Sequence, residues 1–294
     1  METWMNVISP FVRIVKIMKT TSLSGEWIDY DHVFTYIEQG DADFWLNGVK
    51  YHVSEGDAIL MPPFTPHIIR TTSTIPMIQY IFHFDLFFDE ERSEWKEINV
   101  TKEKHKKVYE KEMKLASIQP ISRLRAADQI DLKKRFLLMH KIYQDKHEGY
   151  FLHLKSICIE LLYMFLKSQS NAKHPEGRQT KGWALIEKSI DFINEKYDDP
   201  NLNNVTISDH VGISTNHLSF LFKEQLDVSI HKYVTHVRIE QAKQLIVEGN
   251  RKMTVIAEEV GFSSIHLFSR SFKANVGMTP SQFQATYSHP GREG

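Results

Sequence analysis

Apolar and polar residues alternate in short runs from residue 1 to about residue 90. The runs HVFTYIEQGDADFWLNG, KYHVSEGDAILMPPFTPH, IIRTT and MIQYIFHFDLFF are rich in β-branched and aromatic residues and are separated by turn residues. Alternation of this kind is typical of half-buried strands. The Asn-Gly pair at 47–48 predicts a tight hairpin, because both residues accept positive φ. Several short strands at this spacing predict a small barrel or sandwich.

The apolar spacing changes from about residue 100 onward and predicts helices. The helical segments are TKEKHKKVYEKEMKLASI, DQIDLKKRFLLMHKIYQ and YFLHLKSICIELLYMFLKSQ. In the third segment one apolar stripe follows the i, i+3, i+4, i+7 rule. Its members are Phe151, Leu154, Cys158, Leu161, Leu162 and Phe165. Such a stripe is ordinarily core, but on a helix beside a small barrel it could equally pair with its copy in a dimer. The polar residues that follow predict a linker.

Two segments after the linker repeat one pattern. VGISTNHLSFLFKEQLDVSIHKY at 211–233 resembles VGFSSIHLFSRSFKANVGMTPSQF at 260–283. The glycines match at an offset of 49 residues, and the residues from Leu218 and Phe268 onward match at an offset of 50. One residue is therefore expected to be gained at the start of the second unit's helix. Two copies indicate a duplicated supersecondary unit.

Each copy has the features of two short helices joined by a glycine turn. Gly212 and Gly261 permit a sharp turn, and the small Ala257 four residues before Gly261 lets two helices cross closely. Ser214 and Ser263 stand where a second helix would start, and serine caps a helix by accepting from a backbone N–H. This pattern predicts a helix-turn-helix, whose second helix can enter the major groove of DNA.

Composition and charge narrow the possibilities. The chain has 294 residues, 41% of them hydrophobic, which suggests about two domains. No apolar run approaches the roughly 20 residues of a membrane span, and the N-terminal segment lacks a signal-peptide pattern. Cys158 is the single cysteine, which fits a reducing cytoplasm. Residues 181–294 hold 12 Lys and Arg against 13 Asp and Glu, so any DNA affinity must come from positive groups placed on one face.

The duplicated motif, its joining helix HKYVTHVRIEQAKQLIVEG and the closing GMTPSQF together resemble the AraC/XylS family of bacterial transcription activators. IAEEVGF, SRSFK and GMTPSQF sit at the family's signature positions, and Arg238 lies where the joining helix usually carries an arginine. More loosely, GDAILMPPFTPH resembles the family's effector-binding cupin barrel. The resemblance implies an α+β multidomain protein with a cupin-like barrel over 1–98, a helical dimerisation region over 99–170, a linker over 171–182 and a double helix-turn-helix DNA-binding domain over 183–288.

If the second helix of each motif enters a groove, its N-terminal and exposed positions face the bases. These positions are Thr215, Asn216, Ser219 and Phe220 in the first motif, and Ser264, Ile265, His266, Ser269 and Arg270 in the second. The positions expected to be core by spacing are Leu218, Leu221, Phe222, Phe268 and Phe272. Arg270 is the leading candidate, because a guanidinium can bind guanine O6 and N7 bidentately. Lys223 and Lys273 end their helices and are expected to contact phosphate.

Two positions depart from the family's pattern. Phe220 stands where members commonly have arginine, so we expect weaker sequence recognition by the first motif. An exposed phenylalanine there could press on a thymine methyl, or it could be packed away. Asp227 stands where the second unit has Gly277, and aspartate tolerates the left-handed turn expected at that point.

The strand region holds a candidate small-molecule site, since pockets combine aromatic walls with a few polar groups. The residues suited to a sugar are Gln39, Trp45, Tyr51, His67, Gln79 and His83. A metal-dependent cupin enzyme is the alternative. Such enzymes present a His-x-His pair, which His32 lacks, while Glu38, His67 and His83 are scattered candidates. We therefore expect no metal, no cofactor and no catalytic residue.

The sequence thus predicts a sequence-specific regulator that binds a double-stranded DNA operator. The resemblance implies a homodimer, a small-molecule effector such as a carbohydrate, activation through RNA polymerase, and a place in the bacterial cytoplasm on the nucleoid. A metal-dependent enzyme and a ligand-independent repressor are the alternatives.

Overall fold

The computed structural model describes residues 3–20, 23–27, 29–93, 110–169, 176–249 and 251–287. The chain divides into two compact units, Met1–Gln179 and Thr180–Gly294. The first is rich in antiparallel strands and the second is helical, which confirms the α+β fold class. The division falls inside the segment predicted to be a linker.

The first unit is built on two antiparallel five-stranded sheets. Sheet one has the order β1-β8-β3-β6-β9, and sheet two has the order β10-β5-β4-β7-β2. The strands, together called the barrel below, are β1 (Phe11–Thr20), β2 (Leu23–Trp27), β3 (His32–Gln39), β4 (Ala42–Leu46), β5 (Val49–Val53), β6 (Asp57–Met61), β7 (His67–Thr71), β8 (Met77–Asp85), β9 (Ile121–Arg123) and β10 (Arg178–Gln179). The predicted hairpin is confirmed, because Asn47 and Gly48 join β4 to β5 with φ of 45° and 79°.

Alternation along the strands separates two apolar clusters. The interior cluster combines residues from both sheets, among them Ile37, Phe44, Ile69 and Ile81, and therefore lies between the sheets. The second cluster joins the other face of sheet one to two helices. On β8 the odd-numbered residues face the interior and the even-numbered ones face the helices.

Three α-helices of the first unit are described: α1 (Glu90–Ser93), α2 (Ala126–Asp145) and α3 (Tyr150–Ser168). Two 3-10 turns cover Thr3–Asn6 and Glu110–Leu115. The helix predicted over 101–118 is wrong at its described end, where a 3-10 turn stops at Leu115; residues 101–109 lie outside the described part of the chain.

The predicted stripe of α3 belongs to the core. Leu154, Cys158, Leu161, Leu162 and Phe165 are buried against sheet one, where the ring of Phe165 meets that of Phe34 edge-on at 6.0 Å. Phe151 departs from the prediction because it is 52% exposed. Five of the six stripe residues therefore belong to the core of a single copy.

The second unit consists of seven helices over its described residues. They are α4 (Trp183–Lys196), α5 (Asn204–Val211), α6 (Thr215–Leu221), α7 (Ile230–Glu248), α8 (Met253–Glu259), α9 (Ile265–Val276) and α10 (Pro280–Tyr287). A π turn at Phe222–Leu226 continues α6 and ends at Asp227, whose φ of 53° confirms the expected left-handed turn. All five residues predicted as core in α6 and α9 are buried, and Phe272 contacts both Phe268 and Phe283.

Candidate functional site

The first helix-turn-helix is formed by α5 and α6. Gly212 makes the turn at φ 84°, and Ser214 begins α6 by accepting a hydrogen bond from the backbone N–H of His217 at 3.2 Å. The Thr215 hydroxyl lies 3.0 Å from the Ser208 hydroxyl, so this predicted DNA contact also ties the two helices together.

The outward face of α6 carries most of its predicted contacts. Asn216 and Phe220 are exposed, and Ser219 is half-buried. Lys223 is exposed at the start of the π turn, where its Nζ lies 2.8 Å from the carboxylate of Asp227. This face therefore presents an amide, a hydroxyl and an aromatic ring, with its one lysine already near an acid.

The second helix-turn-helix is formed by α8 and α9, and it corrects one prediction. Ser264, not Ser263, begins α9, because its hydroxyl accepts from the backbone N–H of Leu267 at 3.2 Å. The extra residue of the second copy therefore lies in the turn after Gly261 and not in the helix. Sequence matching misplaced it because two adjacent serines fit the capping position equally well.

The outward face of α9 is more cationic than that of α6. His266, Arg270 and Lys273 are exposed, and Ile265 and Ser269 are half-buried. Among the described residues neither Arg270 nor Lys273 has an ion-pair partner. Both cations are thus available to an anionic ligand, and at the equivalent positions α6 has Phe220 and an acid-paired lysine.

Arg238 on α7 joins the two motifs, a role that sequence reasoning did not assign. Its guanidinium donates to the carbonyl oxygens of Tyr197 and Asp199, at 2.8 Å each, in the segment before α5. It also lies over the ring of Phe262, 5.8 Å from the centroid, in the turn of the second motif. One side chain therefore contacts both the segment before the first motif and the turn of the second motif.

Close backbone packing reinforces this junction. Gly261 has φ 83°, and a Cβ placed on it would lie 2.5 Å from the carbonyl oxygen of Tyr197. Gly212 has almost the same φ, but nothing lies within 4 Å of a Cβ placed there. Of these two turn glycines, only Gly261 lies in close contact with a neighbouring segment.

Four of the six predicted effector residues face the barrel interior. Gln79 and His83 alternate with the even-numbered helix-facing residues of β8, His67 shares the side of Ile69 on β7, and Tyr51 contacts the interior cluster. This resolves which face of β8 points inward.

The other two predicted effector residues lie elsewhere. Trp45 is on the opposite face of sheet two, since its neighbours Phe44 and Leu46 point inward, and Lys50 lies 4.9 Å above its ring. A ligand in the interior would not contact Trp45. Gln39 lies at the end of β3, where its amide donates to the carbonyl oxygen of Pro76 at 3.1 Å.

Buried polar groups surround the inward histidines. His83 Nδ1 lies 3.2 Å from a carboxylate oxygen of Asp31, and His67 Nδ1 lies 3.0 Å from the carbonyl oxygen of Thr65. Burial lowers the pKa of His83 to about 3 and that of His67 to about 4, and it raises the pKa of Asp29 to about 7. Both imidazoles are therefore neutral at pH 7.

A charged network lies beside these groups and was missed by sequence reasoning. Asp85 pairs with Arg13 from β1 and with Arg92 from α1, and Arg92 also donates to the carbonyl oxygen of Tyr30 at 2.9 Å. Arg13 lies 3.8 Å from Asp31. The partners are separated by up to 72 residues in sequence, so no local pattern predicts them.

Gln79 has an unpaired acceptor in the interior. Its amide nitrogen lies 3.4 Å from the Thr20 hydroxyl, and its Oε1 is buried without a hydrogen-bond partner. A buried unpaired acceptor is costly, so a group that donates to it would be favoured.

The scattered metal candidates do not converge. Glu38 faces the helices, where Lys133 lies 3.0 Å away, while His67 and His83 face the interior. Across the described ranges, no group of three or more His, Cys, Asp or Glu side chains could hold a metal ion. Nor is any helix in the described part of the chain long and apolar enough to cross a membrane.

Comparisons with known proteins agree with both units. A family model described as an AraC-like ligand binding domain matches residues 24–162, and one described as a helix-turn-helix domain matches residues 207–286. The HTH-type transcriptional regulator YfiF of Bacillus subtilis (strain 168) is 26% identical over 259 residues, which are 86% of this chain and 76% of that protein.

Two further relatives are similar over shorter segments. An HTH-type transcriptional regulator in the cgkA 5' region of Pseudoalteromonas carrageenovora is 32% identical over 124 residues, 42% of this chain and 72% of that protein. The arabinose operon regulatory protein of Escherichia coli (strain K12) is 32% identical over 100 residues, 34% of each chain. These families and relatives are regulators and not enzymes. The chain belongs to the AraC/XylS family and is a DNA-binding transcriptional regulator with a ligand-binding domain.

Proposed function

We propose that this regulator binds a small hydroxylated molecule, a sugar, in the barrel interior and thereby controls binding of an operator by α6 and α9. The ligand class is supported by three polar side chains that face the barrel interior, those of His67, Gln79 and His83. The buried Gln79 Oε1 needs a hydrogen-bond donor. A hydroxyl supplies a donor and an acceptor without adding charge.

The protonation of the histidines favours an uncharged ligand. A neutral imidazole has one N–H donor and one acceptor nitrogen, whereas the protonated ring only donates. Burial keeps the pKa values of His67 and His83 far below 7. A ligand hydroxyl can accept from the imidazole N–H and can donate to the acceptor nitrogen. The Escherichia coli relative, named for the arabinose operon, is consistent with a carbohydrate ligand.

A thermal-shift screen of the full-length protein against monosaccharides and disaccharides tests the ligand. A ligand at about 100 times its Kd stabilises the folded protein by about 2.7 kcal/mol. We expect Gln79→Met to abolish the shift. The matched control is His52→Gln, which alters an exposed side chain on the outer face of sheet two. A shift that survives Gln79→Met would contradict an interior site at Gln79.

We propose the outward residues of α6 and α9 as the DNA contacts. Arg270 would bind a guanine edge, Lys273 and Lys223 would contact phosphates, and the remaining contacts would come from the helix N-termini and exposed faces. These remaining residues are Thr215, Asn216, Ser219, Phe220, Ser264, Ile265, His266 and Ser269. If α6 and α9 are the two recognition helices and lie in successive major grooves, their centres must be roughly 34 Å apart.

The proposed homodimer uses the outer face of the same helix whose inner stripe is buried. On α3, Leu152 is 75% and Tyr163 is 64% exposed, and Ile159 lies between them. On the neighbouring α2, Ile130 and Leu137 are also exposed. Each helix thus has an apolar pair with a spacing of seven residues, which suits packing against another helix.

Sedimentation of the full-length protein tests the dimer. We expect Leu152→Glu to shift the protein to monomer, because a carboxylate would be buried in the interface. Ile75→Glu, at an exposed apolar residue in the β7–β8 loop, is the matched control and should leave the dimer intact. A Leu152→Glu protein that is still dimeric would contradict this interface.

Regulation is proposed to occur at a promoter in the bacterial cytoplasm. The ligand-bound dimer would occupy two half-sites and contact RNA polymerase to activate transcription. In vitro transcription with and without the ligand tests the direction. Higher transcript levels with ligand support activation, and lower levels indicate a repressor.

A further inference from the structure

Phe220 is unusual on the surface of the second unit. Its side chain is 59% exposed on α6, although the other apolar residues of that helix, Leu218 and Leu221, are buried. Exposing an aromatic ring forgoes the stabilisation that burial would give. The exposed ring shares the outward face of α6 with Asn216 and Ser219.

The duplicated motif defines the position of Phe220. Ser214 and Ser264 cap the two recognition helices, and Phe220 and Arg270 each lie six residues after the cap. Both side chains are exposed. The two motifs therefore present side chains of opposite chemistry at one equivalent position.

The major groove offers one kind of partner to an arginine and another to a phenylalanine. Guanine presents two acceptors to an arginine, and thymine presents its C5 methyl group as an apolar surface. A phenylalanine ring cannot hydrogen-bond to base edges. The cationic group nearest to it along the helix, Lys223, lies 2.8 Å from Asp227 and so adds little net positive charge.

We propose that Phe220 packs against the methyl group of a thymine in the part of the operator bound by the first motif. This inference rests on the proposed function, in which α6 and α9 enter successive major grooves. The first motif then recognises an apolar group and the second a guanine edge. Phe220, in place of the arginine common in the family, then changes the base that the first motif prefers and does not abolish recognition.

Uracil substitution in the operator isolates the methyl group. Operators are selected from random DNA with the full-length protein, and each thymine is replaced in turn by uracil, which removes only the methyl. For the wild type we expect one uracil to weaken binding about fourfold, the effect of burying one methyl group. In Phe220→Ala the thymine and uracil operators should bind equally, at an affinity at least fourfold below that of the wild type.

Arg270→Ala is the matched control, because it alters the equivalent position of the other motif. It should weaken binding but leave the fourfold thymine-to-uracil ratio intact. Melting temperatures of both variants equal to that of the wild type exclude a folding defect. A ratio that persists in Phe220→Ala, or full affinity of that variant, would overturn the inference. Absence of any selected operator would instead overturn the proposed DNA recognition.

Discussion

Gly261→Ala and Gly212→Ala form a matched pair that measures the junction between the two motifs. Both glycines end the first helix of a motif at positive φ, 83° and 84° respectively. An alanine in that region costs roughly 1–2 kcal/mol at either position. Only at Gly261 would the new Cβ also meet backbone atoms, the carbonyl oxygens of Tyr197 at 2.5 Å and Asp198 at 2.9 Å.

The segment that the methyl group meets cannot move freely. Arg238 holds the carbonyl oxygens of Tyr197 and Asp199 at 2.8 Å. Overpacking of this kind costs about 1–3 kcal/mol. We therefore expect Gly212→Ala to cost about 1–2 kcal/mol and Gly261→Ala to cost about 2–5 kcal/mol.

Hydrogen exchange of the full-length protein distinguishes the two variants. Slowly exchanging amides of α7 and α9 report the opening free energy of the second unit without interference from the first. The opening free energy should fall more in Gly261→Ala than in Gly212→Ala. Equal losses, or a larger loss in Gly212→Ala, would refute the close approach of the second turn to Tyr197.

Three further predictions concern Arg270, the two lysines Lys223 and Lys273, and the buried Asp29 of the barrel. Arg270→Ala should reduce the free energy of specific operator binding by about 1–3 kcal/mol without changing the melting temperature, and an unchanged affinity in a binding titration would exclude the guanine contact. Lys273→Ala should reduce the slope of log affinity against log salt by about 1, and Lys223→Ala by less because Asp227 lies beside Lys223; equal slopes would contradict this. Burial raises the pKa of Asp29 to about 7, so the folded state binds the extra proton between pH 4 and 7. The stability of the wild type relative to Asp29→Asn should therefore fall by up to about 4 kcal/mol as the pH rises through this window, as measured by unfolding at several pH values; a difference that rises or stays flat would contradict it.

Features with a local or repeated pattern were predictable from the sequence. The hairpin at Asn47-Gly48, the buried faces of α6 and α9, and the left-handed Asp227 all follow from residue type and spacing. The duplication also identified the position shared by Phe220 and Arg270. These features depend on contacts within one helical turn or one strand pair.

Features that depend on tertiary neighbours were not predictable. The sequence suits Trp45 to a sugar, but strand register places it on the outer face of sheet two. The two sites bridged by Arg238 lie about 40 residues before it and 24 after it, and they meet only when α7 is packed between the motifs. The sequence placed the cap of α9 at Ser263, whereas Ser264 occupies it in the structure, because the two adjacent serines have the same chemistry.

Hydroxyl-radical footprinting of the full-length protein on a selected operator tests the central claim most directly. With both recognition helices in successive major grooves, each copy should protect two segments on one face of the duplex, with centres about 10 base pairs apart. Arg270→Ala should weaken protection of one segment, and Phe220→Ala should weaken protection of the other. A single protected segment per copy, or weakening of the same segment by both variants, would contradict the paired recognition of DNA by α6 and α9.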